Sequence, residues 1–464
     1  MTDMRSDVID NFRSTLRGRL LQPSDPEYDQ ARTIWNAMIE RRPALIARCA
    51  GAADVRAAVS FARAHDLPLA VRGGGHNIAG SALCDDGLVI DLSGMRSVRI
   101  DPARRRAWVE GGATLRDFDH EAQAFGLAVP LGINSTTGVG GLTLGGGFGW
   151  LTRSMGMTID HLVGADVVTG DSQLRHASAS EEPDLFWALR GGGGNFGVVT
   201  TFEFALEPVG PEVSAGLMVF PLAQAKAVLT QYRDLVATLG TELSVWAILR
   251  PAPPLPFLAP EHHGKPILAL AVFSAQKLDA VAPRIDQLRA FGQPIGEHIG
   301  PMPYTAWQQA FDPLLVPGAR NYWKSHNFRS LPDAAIDTLV SHAGQLPTPQ
   351  CEIFLGLLGG KASEPVADAT AYPSRDALFA MNVHTRWDAP ADDARCVAWA
   401  RAFYQATAPY AAGSVYINFL TEDEGARIKD AYGKNYERLV AIKTRYDPDN
   451  LFRHNQNIAP QGAA

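Results

Sequence analysis

The chain has 464 residues, of which 46% are hydrophobic and 20% are charged, and its formal net charge is −7. This composition is ordinary for a soluble globular protein and predicts roughly two to four domains. No basic block is present, which argues against nucleic acid as a partner, and no apolar run approaches the ~20 residues that span a bilayer. The N-terminal residues lack the apolar core of a signal peptide, so we expect a cytoplasmic protein that does not bind a membrane.

The four cysteines are scattered along the chain. They are Cys49, Cys84, Cys351 and Cys396, and none of them belongs to a Cys-x-x-Cys pair. Such sparse cysteines are typical of a reduced compartment and argue against a disulfide scaffold or a cysteine–zinc site. We therefore expect no metal centre, and the composition does not indicate an oligomeric state.

Helix-like and strand-like segments alternate in the first half of the chain. Residues 53–65 are predicted to form a helix, because Val55, Val59 and Ala62 fall on one face. A short strand at 67–71 runs directly into the sequence Arg-Gly-Gly-Gly-His-Asn, which begins at residue 72. Further predicted strands are 87–91, 107–110, 165–169 and 198–204, and further predicted helices are 115–125, with Thr114 as its cap, and 184–190.

Residues 138–149 contain seven glycines among twelve residues. Because glycine destabilises helices and strands alike, this segment is predicted to be neither. A flexible linker is one interpretation, but Val139, Leu142, Leu144 and Phe148 make the segment more apolar than a linker needs to be. We interpret it as an ordered loop whose bare backbone is held against a neighbouring group.

The dense glycine clusters cease after residue 210, and the middle of the chain is predicted to be a separate α+β unit. Strand-like and helix-like runs both occur there. The predicted strands are 267–273, 352–358 and 378–383, and the predicted helices are 222–239, 279–291 and 393–404. From about residue 413 the chain returns to short motifs.

Three glycine clusters, at residues 73–76, 138–149 and 191–197, are candidates for phosphate-binding nests of backbone N–H groups. Tight turns in a glycine-rich domain are the alternative for any one of them. Residues 192–197 match Gly-x-Gly-x-x-Gly, but they follow a predicted helix and precede a predicted strand, which is the reverse of the dinucleotide-binding order. The sequence also lacks a Walker loop, a Gly-x-Ser-x-Gly elbow and a His-Glu-x-x-His zinc motif.

Taken together, these clusters resemble one family closely, the berberine-bridge-enzyme-like branch of the vanillyl-alcohol-oxidase (PCMH-type) flavoproteins. The motifs that carry the resemblance occur in order over nearly the whole chain. They are Arg-Gly-Gly-Gly-His at 72–76, Gly-Val-Gly-Gly at 138–141, Gly-Gly-Gly-Phe-Gly at 145–149, the glycines of 191–197, Tyr-Ile-Asn at 416–418, Tyr-Gly-Lys-Asn-Tyr at 432–436 and Asp-Pro-Asp-Asn-Leu-Phe at 447–452. Within the family, the bacterial polyketide-tailoring oxidases of the enterocin favorskiase type look closest.

The resemblance implies an α+β fold of two domains. A PCMH-type FAD-binding domain with two subdomains would span residues 1–209, with the PCMH part at about 40–209. Residues 411–464 would return to this domain as a berberine-bridge-like tail. A substrate-binding domain with an antiparallel sheet covered by helices would span residues 210–410, and the flavin ring would lie between the two domains.

The resemblance also implies that FAD is bonded covalently through its 8α-methyl carbon to His76. Many relatives carry a second link to a cysteine, but Asn134 stands at that position, so His76 is expected to be the only covalent link. Val139 matches the position that the resemblance associates with oxygen access, where valine favours an oxidase. The residues expected to contact FAD are Arg72, Gly73, Gly74, Gly75, His76, Asn77, Ser81, Asn134, Thr136, Thr137, Gly138, Val139, Gly141, Gly145, Gly146, Gly194, Asn195, Gly197, Val199, Asn418 and Asn455.

Proton chemistry in such an enzyme requires a base within about 3 Å of the substrate proton. Glu352 begins an otherwise apolar strand; it lies either at the wet end of that strand or buried, and burial would raise its pKa. Asn382, His384 and Arg386 alternate along another strand and share one face. That face is either solvated or the wall of a polar cavity, in which His384 could act as a base or as a hydrogen-bond donor.

Two further side chains are candidates for the catalytic base. Tyr416 belongs to the Tyr-x-Asn motif that the resemblance places near the flavin, and Asn418 of the same motif would contact the flavin ring. Glu364 is a second carboxylate, which follows a Gly-Gly-Lys sequence and is expected to be more exposed to solvent.

The predicted function is that of an FAD-linked oxidase. It would take a hydride from a small alcohol, phenol or polyketide-like substrate and pass the electrons to dioxygen, giving hydrogen peroxide. A dehydrogenase with another acceptor, an oxygenating flavin-dependent tailoring enzyme, and a flavin-carrying protein without turnover are the alternatives. Fold alone does not decide between them.

Overall fold

The computed structural model describes residues 5–462, so residues 1–4 and 463–464, which belong to the predicted N-terminal domain and tail, lie outside it. The described chain contains sheets of four, five and seven strands and one small two-stranded sheet. Helices connect these sheets and pack against them. Within residues 5–462, no helix is long and apolar enough to cross a membrane.

The first sheet is built near the N-terminus from β1 (Arg19–Leu21), β2 (Leu45–Arg48), β3 (Leu69–Arg72) and β4 (Leu88–Asp91). Both β2 and β3 pair with β4 in parallel, and β1 pairs with β2 antiparallel. The helices of this region are α1 (Ser6–Thr15), α2 (Tyr28–Ala31) and α3 (Ala52–Ala64). The predicted apolar face of α3 is confirmed, because Val55, Val59 and Ala62 are buried in the core that this helix shares with the sheet.

The second sheet is antiparallel, in the order β5-β6-β10-β8-β9. Its strands are β5 (Val98–Asp101), β6 (Arg106–Glu110), β8 (Leu162–Val168), β9 (Leu174–Ser178) and β10 (Val198–Ala205), while β7 (Leu127–Ala128) and β11 (Glu207–Pro208) form the separate pair. Two helices belong to this region, α4 (Leu115–Gln123) and α7 (Pro183–Leu189). Thr114 caps α4 as predicted, because Thr114 and Asp117 exchange side-chain-to-backbone hydrogen bonds.

The glycine-rich segment is ordered, as predicted, but part of it is helical, and the prediction that it forms no helix is wrong. It contains α5 (Val139–Leu144), and α6 (Thr152–Met155) follows it. Val139 and Thr143 are fully buried, and a Cβ at Gly140 would lie 3.0 Å from the carbonyl oxygen of Gly111. Close packing therefore outweighs the helix propensity of glycine, which is about 1 kcal/mol per residue less favourable than that of alanine.

The third sheet has seven antiparallel strands in the order β15-β12-β14-β13-β17-β18-β16. The strands are β12 (Glu212–Pro221), β13 (Ser244–Pro251), β14 (Pro266–Ser274), β15 (Gly296–Pro303), β16 (Arg320–Phe328), β17 (Glu352–Leu357) and β18 (Phe379–Trp387). The helices of this region are α8 (Ala225–Val236), α9 (Leu278–Arg289), α10 (Tyr304–Gln308), α11 (Asp333–Ala343) and α12 (Asp393–Thr407). An antiparallel sheet with packed helices confirms the predicted α+β class.

Helices α9, α11 and α12 pack against the third sheet, and part of the face that carries Trp246 and His384 lines a cavity. The sheet contacts α9 at β12, α11 at β13 and β17, and α12 at β16 and β18. In the strand register, His384 of β18 lies between Trp323 of β16 and Glu352 of β17. Directly opposed residues share a face of an antiparallel sheet, so these side chains point together to the side away from the helices. The whole sheet lies within residues 210–410, and the division into domains at 209 and 410 stays a prediction.

The C-terminal tail, with α13 (Ile428–Tyr432) and α14 (Tyr436–Tyr446), joins both halves of the molecule. Lys443 is completely buried, and its ammonium group donates to Asp447 at 2.6 Å and to the carbonyl of Asn195 at 2.9 Å. Toward the third sheet, Lys324 of β16 donates to the carboxylate of Asp423 at 2.8 Å. The tail is therefore fixed to the glycine segment 191–197 on one side and to the sheet on the other.

Candidate active site

A cavity lies between the glycine-rich loops and the open face of the third sheet. Segments 73–77, 137–142, 193–199, 416–419 and 452–456 all contribute residues to its walls. At the other end, side chains from β13, β16, β17 and β18 complete the wall. Parts of the chain that are far apart in sequence therefore meet at one site.

Glycines at the cavity wall leave space for a bound group. Gly74 and Gly138 touch, since a Cβ on either would lie 2.4 Å from the backbone nitrogen of the other. A Cβ at Gly141 would meet no atom within 4 Å, and at Gly194 the nearest atom would be 4.0 Å away, although both residues line the cavity. A side chain at either position would project into open space. The glycine walls thus form a cradle that fits a phosphate-containing cofactor such as FAD.

Most residues expected to contact FAD lie at this cavity. They are Gly73, Gly74, Gly75, His76, Asn77, Ser81, Asn134, Thr137, Gly138, Gly141, Gly194, Gly197, Val199, Asn418 and Asn455. Thr136 does not line the cavity but contacts His76 through its hydroxyl group. The sequence motifs therefore converge in space on one cleft.

Five expected contacts are not among the residues that line the cavity, and their contact with FAD stays a prediction: Arg72, Val139, Gly145, Gly146 and Asn195. The guanidinium of Arg72 donates to the carbonyl of Ala31, and the amide of Asn195 donates to the carbonyl of Gly192 at 2.9 Å. Both side chains are therefore held in place by hydrogen bonds to backbone carbonyl groups.

Val139, Gly145 and Gly146 also pack against other parts of the protein. Val139 is completely buried and packs in the core of the second sheet. A Cβ at Gly145 would lie 2.3 Å from the side chain of Asn418, and a Cβ at Gly146 would lie 3.0 Å from the side chain of Met157. Because Val139 packs away from the cavity, it provides no structural support for a role in oxygen access.

His76 lies at the cavity wall, with its ring stacked on Trp35 at 5.3 Å between centroids. Its Nε2 is 2.9 Å from the hydroxyl of Thr136, which in turn donates to Oδ1 of Asn134 at 2.7 Å. Burial lowers the pKa of His76 to about 4, because the surrounding protein disfavours the charged imidazolium. The imidazole is therefore neutral at neutral pH and has a nitrogen lone pair that can bond to carbon.

Aromatic rings form the end of the cavity at the third sheet. Trp246 of β13 and Phe354 of β17 are nearly parallel, with centroids 5.8 Å apart, and Trp323 of β16 stacks on His384 at 4.3 Å. Phe148 and Phe419 also line this end. These aromatic residues were not among the predicted site residues. The alternation of Trp246, Ile248 and Arg250 along one strand face was a signal that could have identified part of this wall.

Arg250, Glu352 and His384 form a buried chain of charges and hydrogen bonds across three strands. Arg250 lies 2.5 Å from one carboxylate oxygen of Glu352, and Nδ1 of His384 lies 3.0 Å from the other. Burial raises the pKa of Glu352, but Arg250, the hydrogen bond from His384 and the charge of Arg386 outweigh it and lower the pKa to about 2. Glu352 is thus buried, yet the expectation that burial would raise its pKa is wrong.

The ionised Glu352 determines which nitrogen of His384 carries the proton. A carboxylate only accepts hydrogen bonds, so Nδ1 of His384 must donate. Nε2 is then the ring nitrogen left without a partner; it is buried and makes no hydrogen bond within residues 5–462. Since His384 lines the cavity, this arrangement presents a proton acceptor to a bound substrate.

The polar strand face that the sequence analysis identified is buried rather than solvated. Asn382 is completely buried but does not line the cavity. The guanidinium of Arg386 lies 5.2 Å from the ring centroid of Trp35 and donates to the carbonyl of Val316. Of the three residues on this face, only His384 reaches the cavity.

Glu364 is not part of the cavity, which corrects its prediction as a catalytic residue. Its side chain is 62% exposed and pairs with Lys361 at 2.9 Å. The carboxylate follows a 3-10 turn at the end of β17, so it points to solvent.

Tyr416 lines the cavity and is a proton donor rather than a base at neutral pH. Its hydroxyl oxygen accepts from the backbone N–H of Gly147 and from Nδ2 of Asn418, both at 3.0 Å. Burial raises the pKa of Tyr416 to about 12, although these two hydrogen bonds oppose the shift. Tyr416 therefore keeps its hydroxyl proton at neutral pH. Because the oxygen is the acceptor in both hydrogen bonds, this proton is free to be donated to a third group.

Two family descriptions match the chain. Residues 43–178 match the FAD binding domain, and residues 415–459 match "Berberine and berberine like". The first range contains the His76 and 138–149 motifs, and the second contains the Tyr-x-Asn motif of the cavity wall. The sequence regions that match are thus the ones whose residues meet at the glycine-lined cleft.

Several known proteins resemble the whole chain. An FAD-linked oxidoreductase of Dictyostelium discoideum is 32% identical, over 98% of this chain and 97% of its own. The (R)-6-hydroxynicotine oxidase of Paenarthrobacter nicotinovorans is 30% identical, over 97% and 98%. The crystal structure of 6-hydroxy-D-nicotine oxidase from Arthrobacter nicotinovorans is similar with a TM-score of 0.86 and 28% identity, over 96% and 98% of the two chains.

Proposed function

Because the chain belongs to the berberine-bridge-like family of FAD-linked oxidoreductases, we propose that it is an oxidase of small aromatic alcohols or phenols. It is an FAD-dependent oxidoreductase, and the proposal concerns its substrate and its electron acceptor. The observation that carries the proposal is that Nε2 of His384 has no hydrogen-bond partner among the described residues, while Nδ1 of the same ring is hydrogen-bonded to Glu352. His384 lies at the aromatic end of the cavity. An oxidase relative at 30% identity supports dioxygen as the acceptor.

We propose that FAD is held by the glycine cradle and bonded to the protein through His76 alone. When bound, FAD supplies a two-electron acceptor whose reoxidation by dioxygen yields hydrogen peroxide. Asn134 occupies the position of the second anchor, and none of the four cysteines, all within the described residues, lines the cavity. The neutral imidazole of His76 and the absence of a nearby thiol support a single link.

In the proposed reaction of an alcohol, His384 would remove the hydroxyl proton, and the hydride on the same carbon would pass to the FAD held in the cradle, which leaves a carbonyl product. Glu352 stabilises the imidazolium that forms, since its carboxylate is already ionised and receives the Nδ1 proton. Arg250 keeps that carboxylate charged within the protein. Tyr416 also lines the cavity, so its hydroxyl group can donate a hydrogen bond to an oxygen atom of the bound substrate or cofactor.

The wall chemistry supports a flat, uncharged and largely apolar substrate. Trp246, Trp323 and Phe354 offer ring faces against which an aromatic ring can stack, a contact worth about 0.5–1.5 kcal/mol beyond its buried area. His384 is the titratable side chain that the sheet contributes to the cavity wall. A polyketide-like substrate fits this description when it carries an aromatic hydroxyl group.

The test of the oxidase proposal is the rate at which reduced protein reacts with air. Protein that has been reduced anaerobically by a substrate from a panel of aromatic alcohols and phenols should regain its oxidised spectrum within seconds in air-saturated buffer, with one hydrogen peroxide formed per chain. Recovery over minutes, with fast reoxidation by a quinone, would contradict the oxidase and support the dehydrogenase. Peroxide yields below one, with oxygen incorporated into product, would support an oxygenating enzyme instead.

Two further measurements separate the remaining alternatives. A flavin-carrying protein without turnover predicts no bleaching of the flavin with any member of the panel. For the single covalent link, acid-precipitated protein should stay yellow, whereas His76→Ala should release its flavin into the supernatant. Free flavin from the unmodified protein would contradict the link.

A further inference from the structure

We propose that Asn134 and Thr136 act as positioning residues that hold His76 in the one tautomer able to bond FAD. This inference rests on the proposed attachment of FAD to His76. The three side chains lie in one hydrogen-bonded row, which begins at a backbone N–H group and ends at the imidazole. The direction of every bond in the row can be derived from the geometry.

The row begins with a donor whose direction cannot be reversed. The backbone N–H of Thr136 donates to the Asn134 side chain at 3.0 Å, so the accepting atom must be the carboxamide oxygen Oδ1 and not the nitrogen. The hydroxyl of Thr136 lies 2.7 Å from the same oxygen. Since Oδ1 has no hydrogen to offer, the hydroxyl must donate its own.

The hydroxyl of Thr136 can then only accept from His76. Its oxygen lies 2.9 Å from Nε2 of His76, and its single hydrogen is already used toward Asn134. Nε2 must therefore carry the imidazole proton. Nδ1 makes no hydrogen bond with any described residue, and in the neutral ring it keeps its lone pair, which makes Nδ1 the nucleophilic nitrogen.

The loop that carries the row is held in place from outside. The backbone N–H of Ser135 donates to Asp312 at 2.9 Å and its hydroxyl donates to the same carboxylate at 2.5 Å. The backbone N–H of Thr137 donates to the carbonyl of Asn134 at 3.1 Å, which closes the turn. Asn134 is 7% exposed, so water has little access to compete for these bonds.

A bond forms between Nδ1 of His76 and the 8α carbon, and one C–H bond of that methyl group breaks. The methyl group and the imidazole each give up one proton. The two electrons of the broken C–H bond pass with two protons to dioxygen, which becomes hydrogen peroxide.

The experiment compares Thr136→Val with Thr136→Ser. Each full-length chain is produced in riboflavin-starved cells and mixed with FAD in air, and the flavin that stays with acid-precipitated protein is measured over time. Bound FAD before acid treatment is measured separately from visible absorbance. Thr136→Val keeps the side-chain shape but removes the hydroxyl, and it should attach FAD about tenfold more slowly, the effect of about one buried hydrogen bond. Thr136→Ser keeps the hydroxyl and should stay within about threefold of the unmodified rate.

Two results would overturn the inference. One is attachment by Thr136→Val at the unmodified rate, and the other is attachment by Thr136→Ser as slow as by Thr136→Val when both bind FAD before acid. If Thr136→Val does not fold, Asn134→Ala decides: it frees the Thr136 hydroxyl to rotate and should slow attachment several-fold, and an unchanged rate contradicts the inference. Loss of flavin from the unmodified protein on acid treatment would instead refute the His76 link itself.

Discussion

At the residue scale, the proposed function assigns proton removal to His384, whose Nδ1 lies 3.0 Å from the carboxylate of Glu352. Glu352→Gln is expected to lower kcat by about 10²–10⁴-fold, the usual size of a general-base contribution. The amide of glutamine can donate an N–H group to Nδ1 of His384, which favours the tautomer that carries its proton on Nε2. Nε2 can then no longer accept a proton from the substrate. The measurement is single-turnover flavin reduction by a substrate identified in the panel.

A matched control for this variant is present in the chain. Glu364→Gln makes the same chemical change at an exposed carboxylate that pairs with Lys361, and its kcat should stay within about twofold of the unmodified value, as for most surface substitutions. Equal losses in the two variants would argue against a special role for Glu352.

Removal of Arg250 should change how the rate depends on pH. Burial raises the pKa of Glu352 and the Arg250 charge lowers it, with the net pKa at about 2. In Arg250→Met, burial dominates and the pKa rises, so the carboxylate takes up a proton as the pH falls through the higher pKa. The rate of flavin reduction should then drop ~tenfold per pH unit below that value, and an unshifted profile between pH 5 and 9 would disagree.

The sequence predicted some of these residues and missed others for a physical reason. His384 and Glu352 are polar residues on strands with a clear apolar pattern, so each stands out within its own segment. Arg250 contacts Glu352, and Trp323 contacts His384, each on an adjacent strand. A single sequence does not reveal which strands pair. The effect of Arg250 on Glu352 could therefore not be predicted, and the pKa of Glu352 was expected to move in the wrong direction.

At the scale of elements, the contact between α4 and α10 includes a buried acid. Asp119 of α4 accepts a hydrogen bond from Gln308 of α10 at 3.1 Å. Burial raises the pKa of Asp119 to about 7, although this hydrogen bond lowers it. Because the folded pKa is the higher one, stability falls as pH rises from about 4 to 7. Asp119→Asn should raise the free energy of unfolding at pH 8 by up to about 4 kcal/mol, with little change near pH 4.

Urea denaturation at both pH values checks this prediction. A variant that is no more stable than the unmodified protein at pH 8 would show that Asp119 is not held as a protonated acid.

The contact between β16 and α12 should respond to acid in the opposite direction. His326 stacks on Tyr404 at 4.2 Å, and burial lowers its pKa to about 4. The associated stability is fully present above the ordinary pKa of about 6.5 and is lost as the pH falls toward 4, about 3 kcal/mol in all. Unfolding free energies of His326→Gln, measured at pH 7 and 4.5, should differ by less than those of the unmodified protein.

Predictions for the elements succeeded where periodicity was strong. The apolar strands β14 and β17 and the amphipathic α3 follow simple patterns. In contrast, β16 carries Asn321, Lys324, Ser325 and Asn327, all buried by partners from elsewhere in the chain, so its sequence does not resemble a core strand. The helix α5 was missed because its glycines are stabilised by packing against Gly111 and not by local propensity.

At the scale of the whole molecule, bound FAD should stabilise the folded protein, because it would contact glycine-rich loops and tail segments that are far apart in sequence. In His76→Ala, FAD can bind only reversibly, so the Tm should rise with FAD concentration, by the equivalent of about 2.7 kcal/mol at one hundred times Kd. If FAD is bonded to His76 as proposed, the unmodified protein should show a Tm that does not depend on added FAD. Differential scanning calorimetry over a range of FAD concentrations tests this, and a flat Tm in His76→Ala would indicate that FAD does not bridge the walls.

The fold class followed from the order of motifs along the chain, whereas the cavity is a property of the complete molecule. Each glycine cluster by itself was compatible with a tight turn, and only the set indicated a cofactor site. Which of the expected residues face the cleft and which stand behind it, such as Val139 and Asn195, depends on packing that no local pattern encodes.

The span of the cavity wall also has a consequence for biosynthesis. Its residues extend from Trp35 to Gln456, and the tail that closes the wall is anchored by the buried Lys443. The binding site is therefore incomplete in a nascent chain whose tail has not yet left the ribosomal exit tunnel. Nascent chains stalled before residues 416–456 emerge should carry no flavin, whereas chains stalled after these residues have emerged should be able to bind it.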